Sequence, residues 1–324
     1  MSGTEDWRPT ASAEMLRLRA AALATARRFF DERQLLEVDT PQLVRHAVTD
    51  RHIECARVEL PGHAAPLFLH SSPEYAMKRL LAAGSGDIYQ IAHVFRGSER
   101  SRWHNAEFTL MEWYRCGFTL RELMAEVAEL ALLLLDLPPG TSIEYLPYAQ
   151  AFGRELGVDP LTAADVELRA LAIAHRLDPP VAGRCDRDEL LDWLMGTVIG
   201  PRLGTAGLCF VHHYPASQAA LACLDPADPR VALRFELYRR GVELANGFEE
   251  LSDAAQQRAR FELDRRQRIE AGLAAPAVDE ALLSALSEGL PPVSGVAMGF
   301  DRLLMLRTGR ANIEEVLPFP LERA

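Results

Sequence analysis

Residues 95–114 run Phe95-Arg96-Gly97-Ser98-Glu99-Arg100-Ser101-Arg102-Trp103-His104-Asn105-Ala106-Glu107-Phe108-Thr109-Leu110-Met111-Glu112-Trp113-Tyr114. They bring a guanidinium, an imidazole, an aromatic ring, a carboxylate and a phenol close together in sequence. If Phe108 begins a strand, then Phe108, Leu110, Glu112 and Tyr114 share one face, because side chains alternate along a strand. Beside a loop carrying Arg96 and His104, that face suits a nucleotide base and a positively charged small molecule. A surface hairpin with solvated charges is the competing reading. The ordered set Arg, His-Asn, Glu-Phe and Glu-x-Tyr weighs against it.

A second constellation lies further on. Glu236 and Glu243 flank Tyr238-Arg239-Arg240-Gly241, a tight-turn sequence. With Arg239-Arg240 as the two-residue loop, the glutamates face each other across a hairpin, where like charges repel. A divalent cation removes that repulsion, and oxygen ligands with phosphate co-ligands suit Mg²⁺. A register one residue away breaks the pairing. Asn246, Phe248 and Glu250 share a strand parity that Glu243 does not. For all four to serve one site, the strand must bulge or twist near residues 245–247, and Gly247 makes that feasible.

These groups need a frame. Residues 88–95 are mostly apolar and rich in β-formers, and residues 108–114 alternate, so both read as strands around a polar loop. Residues 12–35 read as a long helix, with Leu16, Leu23 and Phe30 recurring every seven. Residues 37–41 follow as a strand-like end stopped by Pro41. Ser72-Pro73-Glu74-Tyr75 opens another helix, with Pro73 in its first turn. Residues 119–135 form a third, closed by Pro138-Pro139-Gly140. Residues 159–204 are helical, broken by Pro179-Pro180 and Gly183, and read as an insertion rather than a separate domain. Strand signals return at 208–213 and 231–238, and residues 253–271 form a charged helix.

Composition narrows the class. A chain of 324 residues buries a sizeable core. No apolar run of about 18 residues occurs, so no membrane span or membrane partner is expected. The polar start, Met1 to Arg8, points to the cytoplasm. Five scattered cysteines without CxxC spacing argue against a disulfide framework or zinc site. The formal charge of 35 minus 46, or −11, opposes broad nucleic-acid binding, which needs a basic surface.

Residues 95–114, 234–251 and 295–306 together resemble motifs 2 and 3 of class II aminoacyl-tRNA synthetases, most closely the lysyl branch. Residues 27–43, ending in Glu37-Val38-Asp39-Thr40-Pro41, resemble motif 1. The resemblance implies an α/β (α+β) class II synthetase catalytic fold, a mostly antiparallel sheet flanked by helices, as one domain over residues 1–324. Lysyl-tRNA synthetases carry an anticodon-binding OB-fold ahead of this core, and a five-stranded barrel does not fit before residue 27. A free-standing core of this kind is similar to the ligases that attach β-lysine to a lysine of elongation factor P. That likeness implies ATP and Mg²⁺, a homodimer formed through motif 1, elongation factor P as protein substrate, β-lysine or lysine as small-molecule substrate, and no tRNA. Activation of α-lysine by a truncated synthetase, or a non-catalytic regulatory paralogue, are the alternatives.

The resemblance also assigns residues. Arg96 and Arg302 are the catalytic arginines; a planar guanidinium fork suits carboxylate and phosphate alike. Glu99, His104, Asn105, Phe108, Glu236, Glu243 and Gly299 join them around ATP, with adenine between Phe108 and Arg302 and the metal on Glu236 and Glu243. Ser72, Glu74, Arg96, Glu112, Tyr114, Ala245, Asn246, Phe248 and Glu250 form the amino-acid pocket. Several carboxylates there suit a diamino acid. The chain departs from the family pattern at Ser98, where a glutamate is usual, leaving Glu99 or Ser98 to take its part. Ala106 replaces a proline. Ala245 stands where lysyl synthetases have glycine, and its methyl is expected to favour a shifted amino group.

Overall fold

The N-terminal helix α1 (Ala13–Asp31) starts at Ser12, whose side chain accepts the backbone N–H of Met15. The computed structural model describes residues 7–63, 65–97 and 100–324. The further α-helices among them are α2 (Glu74–Ala82), α3 (Leu120–Leu135), α4 (Tyr148–Leu156), α5 (Asp165–Ala174), α6 (Pro179–Ala182), α7 (Arg187–Leu194), α8 (Ala254–Glu270), α9 (Glu280–Gly289) and α10 (Phe300–Thr308). The strands are β1 (Leu36–Glu37), β2 (Leu43–Val44), β3 (Arg57–Val58), β4 (Leu67–Leu69), β5 (Ile88–Phe95), β6 (Glu107–Cys116), β7 (Ile143–Pro147), β8 (Leu208–Pro215), β9 (Val231–Arg239), β10 (Val242–Glu249) and β11 (Val293–Gly299).

The described residues form two compact units. Unit 1 draws on Met1–Gly117, Glu129–Leu137 and Ser252–Ala324; unit 2 is Phe118–Ala128 with Pro138–Leu251. In unit 1 the strands lie in the order β1-β5-β6-β11. β1 runs parallel to β5, and the other two pairings are antiparallel. A small sheet, β2-β4-β3, accompanies them. Phe30 of α1 anchors the core, stacked on Tyr89 at 4.3 Å and tilted against Trp113 at 5.2 Å. β1 is shorter than the expected 37–41 strand. Val38 still donates to the Tyr89 carbonyl, but Pro41 has no N–H to continue the ladder.

Unit 2 has the order β10-β9-β8-β7, antiparallel except for the parallel β7–β8 pair. One face of β8 and β9 is covered by helices α4 to α7. Tyr148, Phe152, Leu168, Leu190 and Leu194 pack there with Val211 and Tyr238. The region expected to be helical, 159–204, is helical, and after α7 it continues through a wide turn of helix at Met195–Ile199 and a tight one at Gly200–Arg202. No described helix is long and apolar enough to cross a membrane.

Candidate active site

In unit 1 the β5–β6 hairpin has the expected alternation. Phe108 pairs with Val94, Leu110 with Ala92, Glu112 with Gln90 and Tyr114 with Ile88. Arg96 leaves β5 with its backbone N–H bonded to the Ala106 carbonyl, and its guanidinium lies over the Phe108 ring at 5.3 Å. Gly97 N–H donates to the Glu54 carbonyl at 2.8 Å, which fixes the start of the loop. Ser98 and Glu99 lie outside the described residues.

His104 and Arg302 meet directly. Arg302 Nη2 donates to His104 Nε2, and Arg302 Nε reaches the Trp103 carbonyl at 3.4 Å. A guanidinium only donates, so Nε2 must accept and the ring proton sits on Nδ1. That proton points at Ser101 Oγ, 2.7 Å away. Asn105 turns inward instead. It is buried, its Nδ2 donates to the Glu107 carbonyl, and its Oδ1 accepts from Leu321 N–H. Its amide is therefore spent on holding backbone rather than exposed to a nucleotide. Gly299 pairs with Leu110 and is the residue from which α10 begins.

Glu112 is a buried carboxylate held on both oxygens. It is 2% exposed, with Ser72 Oγ donating to Oε2 and Tyr114 Oη donating to Oε1, both at 2.7 Å. Burial, followed by the nearby Glu74 charge, pushes its pKa up to about 7. Glu74 opens α2, where its N–H donates to Ser72 Oγ and its Oε1 accepts from Lys78 Nζ at 2.7 Å. On the other side of β6, Ala297 of β11 lies opposite Glu112 and is only partly buried.

Sequence reasoning missed Lys78, although its i,i+4 spacing to Glu74 is visible. It also missed Arg19. That side chain ion-pairs with Asp301 Oδ1, bonds Thr109 Oγ1 at 2.6 Å, and lies over the Phe300 ring. Asp301 Oδ2 accepts the Thr109 N–H at 2.7 Å, so α1, β6 and the first turn of α10 are tied together next to Arg302. No local pattern links positions 19 and 301.

In unit 2 the hairpin register differs from the expected one. The turn is Arg240-Gly241, both at positive φ (50° and 74°), rather than Arg239-Arg240. A two-residue hairpin of this twist needs two such residues. A side chain at Gly241 would also stand 2.8 Å from the Pro201 carbonyl oxygen. Glu243 therefore opposes Tyr238, and Glu236 opposes Asn246. The glutamates are diagonal neighbours, not a facing pair. They still share a face, since Glu236 and Tyr238 are two apart on one strand.

The pairing shifts between Glu243 and Ala245, a bulge at the place the parity argument required. It brings Asn246, opposite Glu236, and Phe248, opposite Arg234, onto the face of Glu243. Glu250 keeps that alternation and is buried beside its bridge partner Ala222. The same bulge corrects the expectation for Ala245. Ala245 opposes Leu237, so its methyl lies on the far face, away from Asn246 and Glu236. Arg234 was not anticipated. It donates to Glu236 Oε1 at 2.5 Å and to Asn246 Oδ1 at 3.2 Å, while Tyr238 Oη donates to Glu236 Oε2 at 2.6 Å. Burial and the Glu236 charge raise the Tyr238 phenol, keeping it a donor.

Known proteins match this chain from end to end. The family described as tRNA synthetases class II (D, K and N) matches residues 4–323. Relatives named elongation factor P–(R)-β-lysine ligase include that of Edwardsiella ictaluri, 48% identical over 328 residues and 100% of both chains. The protein of Vibrio vulnificus is 48% identical over 319 residues, 97% of this chain and 98% of the relative. That of Vibrio cholerae is 48% identical over 323 residues, 98% and 99% of the two. The chain belongs to this family of class II synthetases. Membership makes the two mostly antiparallel strand sets its catalytic fold, and ligases of this synthetase family use ATP.

Proposed function

We propose that the protein activates (R)-β-lysine with ATP and transfers it to a lysine side chain of elongation factor P. The observation that carries this reading is the end-to-end likeness to ligases of that name. The geometry supports it. In the first step a substrate carboxylate oxygen attacks the α-phosphorus of ATP. The bond to the bridging oxygen breaks, and pyrophosphate leaves. In the second step the acceptor amine attacks the acyl carbon, AMP leaves with the bonding pair, and the amine loses a proton.

No protein nucleophile is needed, so rate must come from alignment and charge neutralisation. Arg96, over the Phe108 ring, is suited to the substrate carboxylate and α-phosphate. Arg302, bonded to His104, is suited to the terminal phosphate. Glu112, with Ser72 and Tyr114 on its two oxygens, is suited to a substrate ammonium. The donor set of unit 2 also fits Mg²⁺. Glu236 and Glu243 put two carboxylates on one face, and this cation takes one or two carboxylates plus phosphate oxygens. Bound there, Mg²⁺ would offset phosphate charge. Arg234 and Tyr238 hold the Glu236 carboxylate in orientation for it.

We further read the protein as a cytoplasmic homodimer joined through α1 and β1, with a protein rather than a tRNA as acceptor. Leu36 on the two-residue edge strand β1 is 56% exposed, which a partner would cover. The deciding experiment combines protein, ATP, Mg²⁺ and α- or β-lysine with elongation factor P or tRNA, read by intact mass. A β-lysyl mass increment on elongation factor P is expected. Charging of tRNA alone, or no ATP–pyrophosphate exchange with either isomer, would overturn the reading.

A further inference from the structure

Arg234 meets acceptors on three different elements of unit 2. Its Nη2 donates to Glu236 Oε1 on its own strand β9, its Nε to Asn246 Oδ1 on β10, and its Nη1 to the Gln218 carbonyl at 2.8 Å. The guanidinium carbon lies over the Tyr214 ring of β8, 4.3 Å from its centroid. Gln218 is fixed in turn, since its Nε2 donates to Asp192 Oδ1 of α7 at 2.8 Å. A planar fork stacked on a ring and bonded at three points has one orientation. That orientation decides how the Asn246 amide points. A guanidinium only donates, so the atom of Asn246 that it meets is the carbonyl oxygen. The two N–H bonds of Asn246 Nδ2 are then turned away from Arg234, and among the described residues they meet no acceptor. Asn246 is half-buried and shares the face of Glu236 and Glu243. An amide free to turn over could offer its oxygen to an ammonium or its nitrogen to an oxygen. Held by Arg234, Asn246 offers only donors.

We propose that Arg234 is a positioning residue for recognition of the acid end of the substrate. It locks Asn246 with its N–H groups toward the amino acid, so that Asn246 binds a carboxylate oxygen and not an ammonium. This rests on the proposed function and adds which end of the amino acid this side chain recognises. The carboxylate is the only oxygen-bearing group of β-lysine, and a hydrogen bond to an ionised acceptor is stronger than one between neutral groups. Holding it also orients the oxygen that attacks ATP. Lysine at position 234 would keep the positive charge beside Glu236, but a single ammonium on a flexible stem lacks the rigid fork that fixes the amide.

The test compares β-lysine with the diamine left when its carboxylate is removed. Calorimetry without ATP or Mg²⁺ measures each affinity, so the part of Glu236 in holding a metal does not enter. Arg234→Lys should weaken β-lysine binding by ~10-fold or more, the scale of a hydrogen bond to a charged group, and leave the diamine within about 2-fold. In an Asn246→Ala background the same substitution should change β-lysine binding by less than about 2-fold, because the amide it positions is gone. A packing role alone would weaken both ligands alike. Equal losses for the two ligands, or a full loss that persists beside Asn246→Ala, overturn the proposal. Should Arg234→Lys not fold, wild type decides by nuclear magnetic resonance. The chain has three asparagines, Asn105, Asn246 and Asn312, so nitrogen-labelled asparagine gives few side-chain amide signals, and Asn246→Ala identifies the one that matters. Its amide protons should shift when β-lysine binds and stay in place with the diamine. No shift with β-lysine, or the same shift with both ligands, overturns the proposal. Wild type that neither binds nor activates either lysine isomer would sink the proposed function and this inference with it, whereas equal losses sink this inference alone.

Discussion

Asp301→Asn should uncouple the support of Arg302 without touching Arg302 itself. Asp301 is 1% exposed and makes two charge-assisted contacts, one with Arg19 and one with the Thr109 N–H. Arg19 is also largely buried, so the substitution leaves a cation without its counter-charge. Breaking such a pair from one side costs ~3–5 kcal/mol. Asparagine retains an oxygen for Thr109, which places the expected loss at the lower end, about 3 kcal/mol. Urea unfolding reads this as a lowered midpoint. Exchange should fall ~10-fold or more, because α10 starts at this contact and a small displacement of a catalytic group is costly. Arg19→Met removes the other charge. The double variant should then be less damaged than the sum of the singles, by about 1–3 kcal/mol. A loss below about 1 kcal/mol for Asp301→Asn, or strict additivity in the cycle, would refute the account of this pair as the anchor of α10.

Four shorter expectations follow from the same contacts. Arg302→Ala should lower exchange by ~100-fold or more, the scale for a preorganised charge contact, and activity within a few-fold of wild type would remove it from the site. Ala245→Gly should leave the preference between lysine isomers unchanged, since its methyl is on the far face, while lowering thermal stability by about 1 kcal/mol; a changed kcat/KM ratio would show that the face assignment is wrong. His212 is held neutral, with burial first and His213 second lowering its pKa to about 4. Its contribution is present above pH 6.5 and lost as pH falls through 4, so wild type should lose up to about 2–3 kcal/mol more than His212→Asn between pH 7 and 4.5, and equal losses in denaturant titrations would dismiss it. Light scattering at micromolar concentration should give twice the chain mass, and a monomer would count against the dimer.

The alternation at 108–114 and the proline-led start of α2 are local signals, because strand period and helix-start chemistry depend on neighbours a few residues apart. By themselves they put Glu112 and Tyr114 on one face and Glu74 at a helix start. The motif resemblance reaches the arginines and the Glu236–Glu250 segment in the same way. Tertiary structure decided what these signals leave open. Alternation assigns a face only relative to a register, and the Arg240-Gly241 turn with the bulge before Ala245 resets that register. Glu236 and Glu243 become diagonal neighbours, and Ala245 turns away. Partners distant in sequence lie beyond any periodicity: Arg19 finds Asp301 only because α1 and α10 are both placed at Thr109. Charge state depends on packing too. Glu112 in the bare sequence is an ordinary acid, and only its removal from water beside Glu74, itself held by Lys78, makes it a group that titrates near neutrality.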